Sequence, residues 1–329
     1  TALVGAPWAA RPVARLALGL LGGLAIVTTV AAAVPDGRLH VLTLDVGQGE
    51  AILVRAPDGQ ALLVDTGGGG VGRLDRGERV VLPALRRAGV RRLAALAVTH
   101  GDPDHAGGLA SILAGLPVDE VWVPAGTEGA PWQALVAEAG VARRVLGRGD
   151  WVWLGPVRVT VLHPSREDPG PPDQPARASN HGSLVLRVDW GRATLLLTGD
   201  AEGAAEREVL ASGLPVAATV LKVGHHGSRH ASSAPFLAAV SPRIAVVSAG
   251  ARNPFGHPSP VVLARLADAG TTIYRTDLDG AIDLRTDGQR LWIRRWARPG
   301  LPSDELLLVG VSDGERAEER RAGLTGAPQ

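Results

Sequence analysis

The run VTHGDPDHAGG, residues 98–108, places His100, Asp102, Asp104 and His105 within six positions. Imidazole nitrogen and carboxylate oxygen are ligands for divalent metals. Gly101 and Pro103 keep the segment in a loop, where neighbouring side chains converge instead of alternating along a strand. Local capping is the plain alternative, with Asp104 at the start of a helix expected from Ala106. Capping leaves both histidines unexplained. The run LLLTGDAEG supplies Asp200 at a strand end, and LKVGHHGSRHASS supplies His225 and His226 after another strand. Asp200 alone is weak, because strand-end aspartates often cap helices. Together these residues exceed what one tetrahedral ion takes. Two ions with Asp200 bridging them is the economical arrangement, and it predicts hydrolysis without a side-chain nucleophile.

Further polar residues accompany the set. His226 and Ser228 share the His225 loop, while Ser232 or Ser233 is placed to cap a helix from Ala234. NPFGHPSP puts Asn253 and His257 on a loop before a helix with Pro258 at its start. His257 can donate to a phosphate or protonate a leaving group, or simply hold its loop. His40, His163 and His230 read as structural or solvated. WIRRWARP (292–299) mixes arginine and tryptophan, which suits a nucleic-acid backbone and its bases, or an edge strand with one basic face.

The elements that position these groups alternate strand and helix. Strands are expected at 93–98, 118–123, 183–188, 193–198 and 219–223, with helices at 80–88, 106–114 and 202–212. PDG (57–59) is a tight turn between two apolar runs. Residues 52–67 can be laid on 184–199 at an offset of 132, matching Arg55 with Arg187, Gly59 with Gly191, and two Thr-Gly pairs. A second echo lays 96–101 on 221–226 at an offset of 125. Each half therefore has a hairpin and a later strand that delivers histidine. This predicts two sheets packed face to face, helices outside, and loops from both halves meeting at one edge.

Composition sets the bounds. Of 329 residues 45% are apolar, enough for a sizeable core, and the net charge of +1 advertises no bulk attraction to nucleic acid. Cysteine is absent, which excludes disulfides, thiolate ligands and a cysteine nucleophile. Methionine is absent too, so a fragment or processed product is expected. Leu16 to Val34 is uncharged and follows Arg11 and Arg15. As a helix it spans roughly 28 Å, close to a bilayer core. It reads as a membrane-spanning helix, or as a signal peptide with Ala31 and Ala33 before the cleavage point. Either reading keeps the arginines inside and exports the rest. Residues 163–180 form a Pro-rich loop. The expected organisation is a transmembrane segment (1–35), a hydrolase domain (36–298) and a disordered tail (299–329).

The signature H-x-[HD]-x-D-H resembles that of the metallo-β-lactamase superfamily. The ordered runs LDVGQGEAILV, LLVDTGG, VTHGDPDHAGG, SLVLRV, LLLTGDAE, LKVGHHGSRHASS and NPFGHPSPVVLARL resemble the C-terminal domain of ComEC-type competence proteins, over roughly residues 39–285. The resemblance implies an αββα four-layer sandwich of two half-domains, preceded by one transmembrane helix. It implies a metal-dependent nuclease that degrades the non-transported strand during DNA uptake, at the cell membrane with the catalytic domain outside the cytoplasm. Implied partners are single-stranded or duplex DNA, the membrane, the channel domain and other competence proteins.

Carried over residue by residue, the resemblance gives His100 and Asp102 to one metal and Asp104, His105 and His225 to the other, with Asp200 shared. Asp104, His226, Ser228 and His257 are the candidates for catalysis. His181 matches a superfamily ligand position, although asparagine is commoner there in this family. Asp65 corresponds to an aspartate that orients a ligand through a hydrogen bond. Asp102 stands where many superfamily hydrolases have histidine, a harder site that favours manganese against zinc. The rival readings are an exported hydrolase of a lactam, thioester or small phosphoester, and a metal-binding domain that only gates or scaffolds a channel.

Overall fold

The structure is a computed structural model that describes residues 34–69, 74–127, 129–166, 180–296 and 303–308. The expected transmembrane segment and most of the Pro-rich loop lie outside these residues. Among the described residues no helix is long and apolar enough to cross a membrane.

Two sheets carry the fold. The first has the order β16-β15-β14-β1-β2-β3-β4-β5-β6 and the second β13-β12-β11-β10-β9-β8-β7. In the first, β1 (Leu39–Thr43), β2 (Ile52–Arg55) and β3 (Ala61–Val64) run antiparallel. They are followed in parallel by β4 (Ala95–Ala97), β5 (Glu120–Pro124) and β6 (Ala142–Leu146). The second repeats this pattern. Here β7 (Trp151–Leu154), β8 (Val157–His163), β9 (Val185–Trp190) and β10 (Ala193–Leu197) are antiparallel. Next come β11 (Val220–Lys222), β12 (Ile244–Val247) and β13 (Thr272–Arg275), all parallel. The offset of 132 thus lays β2 and β3 onto β9 and β10, and the two halves share one topology.

Strand alternation explains the layers. Ile52, Val54, Leu62 and Val64 point into a core shared with Val159, Leu186, Val188 and Leu195 of the other sheet. Their neighbours Leu53 and Leu63 point the other way. They meet α1 (Leu82–Arg87), α2 (Pro103–Ala106), α3 (Leu109–Gly115) and α4 (Gln133–Glu138) through Leu85, Ala106, Ile112 and Val136. On the second sheet α5 (Gly203–Ala211), α6 (Ala234–Val240) and α7 (Pro260–Asp268) cover Leu196 and Leu221 through Val209, Phe236 and Leu266. Strands buried on both faces read as continuous apolar runs, as LLV and LLL do here. The expected four-layer sandwich is present.

Some expectations change. The tail predicted to be disordered from 299 contributes β16 (Ser303–Leu308), which pairs with β15 (Arg290–Arg295). β15 lies between β16 and β14 (Ile282–Thr286), so WIRRWARP is no edge strand. The helix expected at 106–114 is two helices broken at Gly107. There a Cβ would come within 2.3 Å of the Gly69 backbone nitrogen, so two glycine loops touch. Neither Ser232 nor Ser233 caps α6 with its side chain. The Glu206 carboxylate instead accepts from both of their backbone N–H groups and so ties the loop before α6 to α5.

Between the halves lies a buried ion pair. Glu50, in the loop between β1 and β2, faces Lys222, the chain's only lysine, at the end of β11. Neither residue is more than 1% exposed. Removing one member of such a pair strands the other charge and costs about 3–5 kcal/mol, whereas replacing both by apolar residues is often near neutral. Lys222→Met should therefore lower the urea-unfolding free energy of the metal-free chain by that amount, and Glu50→Leu/Lys222→Met should recover most of it. A single variant within about 1 kcal/mol of wild type would show that the pair does not join the halves.

Candidate metal centre

The centre sits where the parallel strands of both sheets end, as ligand sites in open α/β sheets do. Asp65 follows β3, His100 follows β4, Asp200 follows β10, and His225 and His226 follow β11. Asp102 precedes α2, which presents Asp104 and His105. The loop GQGE closes the floor, and it needs glycine at position 49. Its φ is 125°, and a Cβ there would lie 2.3 Å from the Asp104 carbonyl oxygen.

Hydrogen bonds fix which nitrogen of each ring carries the proton. Asp65 accepts from His105 Nδ1 at 2.6 Å and from Thr99 N and Oγ1 at 2.7 and 2.6 Å. Thr99 Oγ1, having given its proton to Asp65, accepts from His100 Nδ1 at 3.1 Å. His226 Nδ1 donates to the Ser248 carbonyl at 2.9 Å. In neutral His100, His105 and His226 the Nε2 lone pair therefore points inward. His105 Nε2 and His226 Nε2 are 3.2 Å apart, so two lone pairs face each other. Such a contact calls for a cation between them.

Asp200 stands at the middle. Its Oδ1 is 3.1 Å from His105 Nε2, and its Oδ2 is 3.5, 3.6 and 4.0 Å from Nε2 of His226, His225 and His100. Asp104 Oδ2 is 3.2 Å from His226 Nε2, and Asp102 Oδ2 is 3.6 Å from His100 Nε2. His100 Nε2 and Asp200 Oδ1 are buried and in no hydrogen bond. Four overlapping groups result, His100–His105–Asp200, Asp104–His105–His226, Glu50–Asp65–His105 and Glu50–Asp200–His226, and in the two that include Glu50 that carboxylate already faces Lys222. Imidazoles oriented through Nδ1, orphaned inward atoms and a central carboxylate fit divalent metal ions.

The electrostatics agree. Burial pulls the His105 imidazole down, but Asp200 and Asp65 outweigh it and hold it well above its ordinary value. Burial pushes Asp200 up, and His105, His226 and His100 hold it well below the carboxylate range. Asp104 is likewise raised by burial, and His226 and His105 bring it down to about 2.

The structure redistributes several predicted roles. His226, expected near the chemistry, lies among the buried ligand atoms. His225, expected as the ligand, sits at the mouth, with Nδ1 donating to Glu202 at 2.7 Å. The cause is local: both histidines adopt left-handed backbone, φ 43° and 53°, which turns their rings apart. His181 joins neither group; its Nε2 lies 3.2 Å from Glu208 on α5. The preceding Asn180 faces His225 instead, its Nδ2 3.3 Å from Nε2. Ser228 donates to Glu202 at 2.6 Å and so supports His225 through it. His257 stacks on Phe255 and its ring lies 5.4 Å from His225. Burial and the nearby His225 push its imidazole down, which keeps it neutral. Asn253 holds that loop by donating to the His257 carbonyl and accepting from the His257 N–H. Sequence reasoning missed Glu50 and Glu202. Glu50 had a signal, a carboxylate in an otherwise apolar and glycine-rich run; Glu202 lies two residues past Asp200 with nothing to mark it.

A sequence profile of the metallo-β-lactamase superfamily matches residues 44–251. The chain belongs to the metallo-β-lactamase superfamily. Within it, the chain is similar to competence proteins of the ComEC type. It is 34% identical over 257 residues to ComE operon protein 3 of Bacillus subtilis (strain 168), covering 74% of this chain and 32% of that protein. It is 36% identical over 253 residues to competence protein ComA of Neisseria gonorrhoeae (76% and 33%). With recombination protein 2 of Haemophilus influenzae it shares 34% over 277 residues (83% and 32%). The chain thus spans about a third of the length of these relatives. CmlA, a diiron β-hydroxylase from Streptomyces venezuelae, has the same fold, with 17% identity and a TM-score of 0.50 over 75% of this chain and 54% of that one.

Two outcomes follow for this superfamily domain. Asp65→Asn loses the carboxylate that orients His105, so affinity for a divalent ion should fall about 10–100-fold, measured by competition with a chromogenic chelator. Unchanged affinity would mean that Asp65 does not set the ligand. Because His105 is raised, its proton is held at neutral pH and released as pH climbs through that raised range. A metal must expel it, so apparent affinity should strengthen with rising pH, and calorimetry in two buffers should show proton release on binding.

Proposed function

We propose that this domain is a two-metal hydrolase that cuts DNA, degrading the strand not transported during natural transformation. What carries the reading is the central position of Asp200 among four imidazoles and Asp104, in a chain related to proteins named for competence and recombination. His100 and Asp102 would hold one ion. Asp104, His105 and His226 would hold the other, with Asp200 shared. Divalent ions in such a site supply an activated water and stabilise charge on the attacking and leaving oxygens of a displacement. Asp102 in place of histidine favours manganese over zinc.

The chain's own residues supply the rest. Asp65 and the Ser248 carbonyl keep His105 and His226 in one tautomer. Glu202 and Asn180 hold His225 at the mouth, where its ring borders the substrate path. His257, neutral and half-buried beside it, is placed to donate a hydrogen bond to a phosphate oxygen. The domain would lie outside the cytoplasmic membrane, because Arg11 and Arg15 precede the apolar segment and only Arg38 follows it closely.

The test supplies the purified chain with manganese or zinc, and single- or double-stranded DNA. Cleavage should appear with metal and vanish with chelator. Asp200→Ala should lose more bound metal than His100→Ala. His257→Ala should keep its metal and cut about 10²–10³-fold more slowly. A metal-loaded chain that leaves both DNA forms intact but opens a lactam or thioester would overturn the nuclease reading.

A further inference from the structure

A second group of ligand atoms lies outside the centre. His163 ends β8, His181 lies in the turn Asn180–Gly182, and Glu208 projects from α5. Their ligating atoms all lie within 4.8 Å of one another. His163 is 1% exposed, and its Nδ1 donates to the Ser183 carbonyl at 3.0 Å. Its Nε2 therefore carries the lone pair, and that atom is buried with no hydrogen-bond partner. It faces Glu208 Oε2 at 3.4 Å, while His181 Nε2 is 3.2 Å from Glu208 Oε1. Ligands about 2.0–2.1 Å from a tetrahedral ion lie about 3.3 Å apart, close to both spacings. Arg148 Nη2 reaches Glu208 Oε2 at 3.2 Å and holds the carboxylate beside the two imidazoles.

We propose that His163, His181 and Glu208 form a separate cation site, a two-histidine, one-glutamate set for a single zinc-type ion. Two imidazoles and one carboxylate suit zinc, with a fourth position left for water. The ion would fasten the end of β8 and α5 to the turn at 180–182. That turn borders the main centre: Asn180 reaches His225, and Ser183 Oγ accepts from Asp200 N at 3.2 Å and lies 3.4 Å from His100 Nδ1. The site would thus brace one wall of the centre without sharing a ligand with it. It holds whether or not the chain cleaves DNA.

Cobalt is the probe, because a tetrahedral cobalt(II) ion absorbs in the visible. In His105→Ala/Asp200→Ala, which removes ligands shared by the main groups, one equivalent of cobalt should bind, and zinc should displace it. Adding Glu208→Gln or His163→Gln should abolish that absorption. In the otherwise unaltered chain His181→Ala, a half-exposed position, should lose one zinc per chain while its far-UV dichroism stays that of wild type. Failure of the folded double variant to bind cobalt would overturn the proposal. So would undiminished zinc content in folded His181→Ala.

Discussion

Buried negative charge needs a cation, and this requirement organises the molecule. Glu50, Asp65, Asp104 and Asp200 converge where the two sheets meet, three of them at most 2% exposed. Each is answered differently. Glu50 takes Lys222 across the seam, and Asp65 takes three donors from Thr99 and His105. Asp104 and Asp200 are left with imidazoles whose lone pairs point at one another. Isolated ionised carboxylates are costly in an apolar interior. The arrangement is therefore complete only with protons or metal ions, and Asp200 and Asp65 accordingly hold the His105 imidazole well above its ordinary value.

The two-half topology is what makes the convergence possible. Each half ends a parallel strand at the same edge, so a duplicated pattern brings unlike residues together: His100 from one half and His225 with His226 from the other. Consecutive left-handed residues at 225 and 226 cost of order 1–3 kcal/mol each. They persist because the Ser248 carbonyl holds one ring and Glu202 the other. Strain of this kind is held in place by the surrounding packing, here by the ends of β11 and β12.

Much of this was legible in the residues. The offset of 132 exposed the duplication because hairpin spacing is set by turn length and strand period. HGDPDH announced a cluster because nothing in a helix cap or a core needs two imidazoles and two carboxylates so close. The division of labour between His225 and His226 was not legible, since it depends on two backbone dihedrals that composition does not dictate. His181 misled for a related reason. One residue along, Asn180 takes the position facing His225, and a slip of one in a short turn reverses which side chain faces the centre. β16 was hidden because a charged, Gly-rich neighbourhood masks a six-residue strand whose partner is already in the sheet.

The distance along the chain between groups that meet at the centre has a kinetic meaning. His105 and His226 are 121 residues apart in sequence, and Ser248, which holds His226, bonds to the Gly49 carbonyl 199 residues away. Such closures form late, after the loop entropy has been overcome, and proteins built from them fold slowly. No partly folded chain can gather the full ligand set, so an ion finds its complete coordination only once both halves have docked. Interactions absent from the transition state act on unfolding and not on folding. The metal would therefore serve as a latch: it does not hasten assembly, but once seated it sets how long the assembled protein lasts.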